Sequence, residues 1–255
     1  MIPFQHYGIE KIVDIAQEAG RAIMEIRQTC FASWEKQDAS PLTVADEVAN
    51  ELITRSLKEL DFKAPVVSEE GAKQANKEHW LVDPLDGTKE FIVGSTEFTV
   101  NIALVSEGSV VFGVVHAPAI GTTYWGGKSF GAKKIEHGVT RDIRVTAGNV
   151  NRMRIAVSRS HLDDSTVAYL SKYENHELIP SGSSLKLCLV AEGSADIYPR
   201  FGRTMEWDIG AGQAVLEGAG GGVFRRETLK SLNYTKRKWE NPSFIAASSR
   251  DLINP

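Results

Sequence analysis

Trp80-Leu-Val-Asp-Pro-Leu-Asp-Gly-Thr-Lys-Glu-Phe91 sets a strand, a tight turn and a helix start side by side. The apolar run Trp80 to Val82 predicts a buried strand. Asp83 stands before a proline, which biases it towards an extended backbone and predicts the end of regular structure there. Asp86-Gly87 is turn chemistry, because glycine accepts backbone angles that other residues avoid. Thr88-Lys-Glu-Phe91 can open a helix. The two carboxylates, one at a strand end and one in the turn after it, can converge on a point. Carbonyls in such a turn can face the same way, and hard oxygen ligands suit magnesium or manganese. The N–H groups at the helix start suit a phosphate oxygen. Against this stands chance: the chain has 33 acids, and Asp-Gly is a common turn. The context has to decide.

Bulk properties narrow the class. The 255 residues are enough for one large domain or two small ones. Hydrophobic content of 42% and charged content of 24% are those of an ordinary globular protein. A net charge of −4 argues against a nucleic-acid-binding surface spread over the fold, while leaving room for a local basic pocket. Cys30 and Cys188 form no C-x-x-C pair and fit free thiols in a reducing cytosol. The first residues lack a basic stretch followed by an apolar one, so no signal peptide is expected. No apolar run reaches the length of a transmembrane helix. The expectation is a cytoplasmic protein, with peripheral contact at the inner face of the membrane left open.

Tyr7 to Gln28 carries an apolar stripe at helical spacing, interrupted by Gly20, and predicts a packing helix. A polar connection from Trp34 to Thr43 follows. Thr43 reads as the N-cap of a second helix, Val44 to about Glu59, with Asp46 and Glu47 in its first turn. Asp46 by itself is as well explained by the helix dipole. Pro65 to Glu70 predicts a short strand ending in two acids, so that Glu69 and Asp83 could lie side by side. Antiparallel strands are expected over Glu97–Val105, Ser109–His116 and Gly121–Trp125, with short β pieces to about Val145. The polar stretch Asn149–Arg154 is the best place for a boundary, dividing the chain into 1–150 and 151–255.

The second half alternates strand and helix, which predicts a mostly parallel or mixed sheet covered by helices. Met153–Val157 is a strand, a helix runs from about Leu162 to Tyr173, and a polar loop leads to Pro180-Ser-Gly-Ser-Ser184. A helix from Leu185 to Glu192, a strand Ala195–Tyr198, a helix opened by Trp207-Asp208 and short strands near Val223 and Phe244 complete it. Asp208 is well explained as an N-cap. Lys236-Arg-Lys238 reads as a solvated loop. Gly218-Ala-Gly-Gly-Gly222 reads as a helix end and turn.

Four blocks in one order, Asp46, Glu69-Glu70, Asp83-Pro-Leu-Asp-Gly-Thr88 and Trp207-Asp208, resemble the inositol monophosphatase superfamily of magnesium-dependent, lithium-sensitive phosphatases. Together they span most of the chain. Lys89-Glu-Phe91, where inositol monophosphatases have a Thr-Asn-Phe-like run, resembles the 3′(2′),5′-bisphosphate nucleotidase branch of the bacterial CysQ type. Phe98-Thr-Val-Asn-Ile102, Ser158-Arg-Ser-His161, Gly182-Ser-Ser-Leu-Lys186 and Tyr198-Pro-Arg-Phe-Gly202 are similar to it as well. The resemblance implies an α/β fold of the sugar-phosphatase-like αβαβα sandwich type. An N-terminal antiparallel sheet with helices would precede a C-terminal mostly parallel or mixed sheet with helices.

It also implies a site. Glu69, Asp83 and the Leu85 carbonyl would hold one magnesium; Asp83, Asp86 and Asp208 a second; a third, weaker ion would sit near Glu69, with manganese as a substitute. Thr88, hydrogen-bonded to Asp46, would orient and deprotonate the attacking water. The first Glu of the pair is assigned by analogy. The Gly87 and Thr88 N–H groups would clamp the phosphate, with Leu85, Asp86, Ser183 and Asp208 also beside the substrate. Lys186 and Arg200 would meet the phosphate that is not cleaved, and His161 the adenine, although an exposed capping histidine explains His161 nearly as well. A cluster of carboxylates held close without metal raises its own pKa values, so raised values and stabilisation by magnesium are expected.

The activity implied is hydrolysis of adenosine 3′,5′-bisphosphate, with its sulfated analogue as a second substrate, to AMP and phosphate, clearing a by-product of sulfate activation. The partner is a small nucleotide, not nucleic acid, and the assembly a monomer or homodimer. Two other readings stay open. An inositol-phosphate or sugar-phosphate phosphatase could use the same scaffold, and Lys89-Glu90 argues against it. A silent metal- or nucleotide-binding regulatory protein would keep the fold without turnover; the complete set Asp46, Glu69, Asp83, Asp86, Thr88 and Asp208 argues against that. No G-x-x-x-x-G-K-[ST] is present.

Overall fold

The structure, a computed structural model, describes residues 7–29, 33–35, 41–149, 151–159, 163–236 and 238–253. Cys30, His161 and Arg237 lie outside the described residues. Helix α1 (Tyr7–Arg27) buries Ile9, Ile12, Val13, Ala16, Ala19 and Ile23 along one stripe, as its periodicity predicts. The connection after it holds two short antiparallel strands, β1 (Ser33–Glu35) and β2 (Pro41–Thr43). Thr43 caps α2 (Val44–Glu59), accepting from Ala45 N at 3.1 Å, while the Asp46 carboxylate returns to Thr43 N at 2.8 Å.

Seven strands follow in spatial order: β3 (Val66–Ser68), β4 (Glu78–Asp86), β5 (Thr99–Ser106), β6 (Ser109–Ala117), β7 (Thr122–Gly127), β8 (Gly131–Glu136) and β9 (Val139–Ile143). Every neighbouring pair is antiparallel except β3–β4, which is parallel. A five-stranded sheet holds β10 (Met153–Ser158), β11 (His176–Ser181), β12 (Ile197–Arg200), β13 (Gly222–Arg225) and β14 (Phe244–Ala247), in the order β11-β10-β12-β14-β13. Its first three members run parallel and its last two pairs antiparallel.

The helices make three layers around these sheets. Trp80, Val82, Ile102, Leu104, Phe112 and Val114 meet α1 and α2 on one face of the larger sheet. The alternate residues Leu81, Ala103, Val105 and Val115 turn to the other face. There they pack on α5 (Leu185–Ala191) and α6 (Glu206–Gly218), which also receive Ala156, Tyr198, Val223 and Phe244 of the smaller sheet. The far side of that sheet packs on α4 (Asp164–Leu170), capped by Asp163. The result is the expected αβαβα sandwich. Because α6 is apolar nearly all round, it can lie buried between two sheets. Among the described residues no helix is long and apolar enough to cross a membrane.

Three expectations fail for identifiable reasons. β4 does not stop at Asp83 but runs through Pro84 to Asp86, with a register shift between Asp83 and Asp86 that accommodates the missing N–H. The segment before Ser181 is not a loop but β11, an edge strand whose mostly solvent-facing residues give no apolar run, and whose edge position tolerates Pro180. Lys236 is no solvated residue: its Nζ lies 2.7 Å from Oε1 of the fully buried Glu206, which also accepts from Thr235 N and Lys236 N at 2.8 Å.

Gly20, an interruption in the stripe of α1, leaves room for a buried histidine. A Cβ there would stand 2.4 Å from His116 Cδ2. His116 Nδ1 lies 2.9 Å from Thr123 Oγ1, which accepts from Gln17 Nε2 at 3.1 Å. Burial pushes its pKa down to about 4. Unfolding raises that value to the ordinary 6.5, so the unfolded chain binds the extra proton between pH 6.5 and 4 and stability falls as pH drops through that window. From pH 6.5 to pH 5 the loss is about 2 kcal/mol. Urea denaturation at several pH values should show this slope in the parent protein and a shallower one in His116→Gln; equal slopes would remove His116 as the cause.

Candidate active site

β3 and β4 pair parallel with Val67 opposite Leu81, and Glu69 N continues the ladder by donating to Val82 O at 3.1 Å. Val67 and Leu81 both face α6, so alternation places Glu69 and Asp83 on that same face. α6 begins there, and Asp208 stands in its first turn. Oxygens of Glu69, Asp83 and Asp208 gather within 4.8 Å of one another. Glu70 is not in this set; its carbonyl lies 3.5 Å from Asn50 Nδ2.

Local hydrogen bonds aim Asp83 and Asp208. Asp83 Oδ1 accepts from Leu85 N at 3.1 Å, and Asp208 Oδ2 from Met205 N at 2.8 Å. Asp208 is not the N-cap, as its sequence position suggests; Met205 holds that place, because the helix starts two residues before Asp208, at Glu206. From the third helical position Asp208 returns one oxygen to the Met205 N–H and leaves the other to the cluster. Asp86 occupies the same cleft outside the three-acid set; its Oδ2 lies 3.0 Å from Ser184 Oγ and 3.5 Å from Asn101 Nδ2. Ser184 Oγ also stands 2.6 Å from Asp208 O. Ser184 and Asn101 were not among the expected site residues, although both lie in stretches whose similarity to the nucleotidase branch was visible.

Beside the cluster, Gly87 adopts a φ of +93°, in the left-handed region that favours glycine, and α3 (Thr88–Ile92) starts from it. Thr88 Oγ1 is 3.0 Å from Asp46 Oδ1 and 3.2 Å from Leu85 O. Its single proton goes to the carboxylate, the stronger acceptor. Asp46 is buried, and its Oδ2 accepts from Thr43 N and Thr43 Oγ1 at 2.8 and 2.7 Å. One residue thus caps α2 and fixes a hydroxyl on another element.

The cleft that holds these groups has a volume of about 230 Å³, and Gly87, Ser183, Lys186, Tyr198 and Arg200 also line it. Lys186 is buried, donating to Ser183 O at 2.6 Å and Ser181 O at 3.2 Å. Ser183 Oγ pairs instead with Thr99 Oγ1 at 2.9 Å. Arg200 Nη2 donates to Arg203 O at 3.2 Å.

The electrostatics oppose one another. Burial pushes Asp208 well above the carboxylate range, and the charges of Asp86 and Glu69 push it further. Burial raises Asp86 too, while the Lys186 ammonium draws it back. Burial lowers Lys186 to about 8 against the pull of Asp86. Three converging carboxylates with a fourth nearby, two of them, Asp208 and Asp86, raised by desolvation and by neighbouring charge, make a donor set that fits a hard dication.

Two helix-covered sheets that gather acids where a helix meets a strand edge define a layered α/β protein equipped to hold cations beside a fixed hydroxyl. The model of the inositol monophosphatase family matches residues 6–254. The chain belongs to that family. It is 43% identical over 244 residues to the 3′(2′),5′-bisphosphate nucleotidase CysQ of Salmonella typhimurium, covering 92% of this chain and 98% of that relative. The nucleotidase CysQ of Escherichia coli K12 is 41% identical over the same coverage. The crystal structure of CysQ from Bacteroides thetaiotaomicron superposes with a TM-score of 0.85 at 40% identity, covering 98% of this chain and 100% of that one.

Proposed function

We propose that this protein is a magnesium-dependent phosphomonoesterase of the 3′(2′),5′-bisphosphate nucleotidase type, acting in the cytoplasm. It removes the 3′-phosphate of adenosine 3′,5′-bisphosphate, and of its sulfated analogue, to release phosphate. The observation that carries the reading is the Thr88–Asp46 hydrogen bond at 3.0 Å, in a cleft shared with the acid cluster and with Lys186. The similarity to the nucleotidases above, at 41–43% identity, supports the choice of substrate.

Residues 1–150 bring Asp46, Glu69, Asp83, Asp86 and Thr88, and residues 151–255 bring Asp208, Lys186 and Arg200. Glu69, Asp83, Asp86, Asp208 and the Leu85 carbonyl would hold two or three magnesium ions, with manganese as a substitute. Bound magnesium supplies Lewis acidity and neutralises charge at the reacting phosphate. Thr88 Oγ1 accepts a proton from the attacking water as its own passes to Asp46 Oδ1; the water oxygen bonds to phosphorus, the P–O3′ bond breaks, the 3′-oxygen takes a proton from solvent, and Asp46 returns one to solvent. The Thr43 bonds keep Asp46 Oδ2 occupied, so Oδ1 alone faces Thr88. Gly87 and Thr88 N–H groups orient the phosphate that reacts. Lys186 and Arg200 meet the one that stays.

Phosphate release from adenosine 3′,5′-bisphosphate and inositol 1-phosphate, with magnesium or with EDTA, tests this. Magnesium-dependent turnover of the nucleotide, lost in Asp83→Asn, is the expected result. Preference for inositol 1-phosphate would keep the acid site and overturn the assignment of Lys186 and Arg200.

A further inference from the structure

Lys73 takes no part in the chemistry above, yet its side chain touches both sources of the acid cluster. Its Nζ donates to the carbonyls of Ser68 and Glu69, the latter at 2.6 Å, and lies 3.5 Å from Gly71 O. The same ammonium sits 4.5 Å from the centroid of the Trp207 ring. Glu69 directly follows the edge strand β3, and Trp207 immediately precedes Asp208 in α6. An ammonium has three donors and no acceptor, so it can serve several carbonyls while turning its charge to an aromatic face, where the ring quadrupole attracts it.

The two ends of this contact differ in firmness. Trp207 is buried in the core between the sheets. Glu69 lies where the sheet runs out: among the described residues β3 has β4 as its one neighbour, and after the bond from Glu69 N to Val82 O the chain leaves the ladder. The turn beyond it is closed by Gly71 N to Ser68 O at 3.2 Å and Ser68 N to Ala72 O at 3.3 Å, both long. Edge segments with few backbone bonds open at low cost unless something else ties them. Lys73 provides such a tie, from the turn that carries Glu69 to the helix that carries Asp208.

We infer that Lys73 is a positioning residue: it braces the Glu69 turn against Trp207, holds Glu69 at a set distance from Asp208, and thereby sets the affinity of the acid cluster for magnesium. The inference rests on the magnesium-site reading above. Glu69 must stand in place before the ion arrives, so the brace acts on binding and not on the chemical step. Groups that orient metal ligands in this way change metal affinity by ~10–100-fold when removed.

Lys73→Met keeps the stem that lies against the indole and removes the donors and the charge; Lys73→Arg keeps a cation and its donors. Magnesium binding to the metal-free protein is measured by titration calorimetry, with the melting temperature of each metal-free variant and kcat at saturating magnesium. Lys73 is exposed, so the metal-free melting temperature should hardly move. About 10-fold weaker magnesium binding in Lys73→Met is expected, with kcat restored at saturating magnesium and binding largely rescued in Lys73→Arg. In a Trp207→Leu background the same Lys73→Met change should cost little more, because the two residues act as a unit. Unchanged magnesium affinity in Lys73→Met, with normal binding by the parent, would overturn the brace and leave the site reading intact. No magnesium binding by the parent protein would overturn both.

Discussion

Replacing Asp208 by asparagine should make the metal-free protein more stable and nearly abolish phosphate release. Asp208 is buried, and desolvation, followed by the charges of Asp86 and Glu69, holds its carboxyl well above the ordinary range. A carboxyl with a raised folded pKa destabilises the fold at every pH above its unfolded value, because the unfolded chain ionises more readily. Asparagine removes the charge but keeps an oxygen that can accept from Met205 N, so the first turn of α6 stays capped. The metal-free protein should therefore gain stability at neutral pH. The opposite holds with magnesium. One oxygen donor without charge replaces a carboxylate, the stabilisation by magnesium shrinks, and turnover falls about a thousandfold. Urea denaturation with and without magnesium, beside an assay of phosphate release, gives both signs. A variant less stable than the parent without metal would show that Asp208 serves the fold and not the cluster.

Thr88→Ala should separate proton transfer from ion binding. The hydroxyl links Asp46 Oδ1 to the cleft, while Asp46 Oδ2 keeps both bonds to Thr43. Losing a positioned proton acceptor costs ~10²–10⁴-fold. We expect kcat to fall within that range, KM to change little, and magnesium affinity to stay near that of the parent. Thr88→Ser restores the hydroxyl and should recover most of the rate. Retained turnover in Thr88→Ala would remove the Thr88–Asp46 pair from the mechanism, whatever becomes of the acid cluster.

Residues that act through local geometry were legible without the fold. The stripe of α1, the Thr43 cap with Asp46 behind it, the glycine turn before Thr88 and the strands β5 and β6 follow from periods, residue types and turn preferences confined to a few residues. β11 was not legible, because an edge strand facing solvent needs no apolar pattern. The burial of Lys236 was not legible either, because its buried partner, Glu206, lies thirty residues away on α6.

The same divide runs through the site. Sequence alone supplied the four acidic blocks and their order, since the spacing within Asp83 to Thr88 is local, and their resemblance to one family suggested a use for them. Tertiary structure decided the rest. The parallel register of β3 on β4 puts Glu69 beside Asp83. Burial of α6 between two sheets delivers Asp208 to the same point. Ser184 reaches Asp86 across the molecule, and Lys73 reaches Trp207. Such contacts depend on register and packing between elements far apart in the chain, and a linear pattern carries no record of which distant face an element will meet.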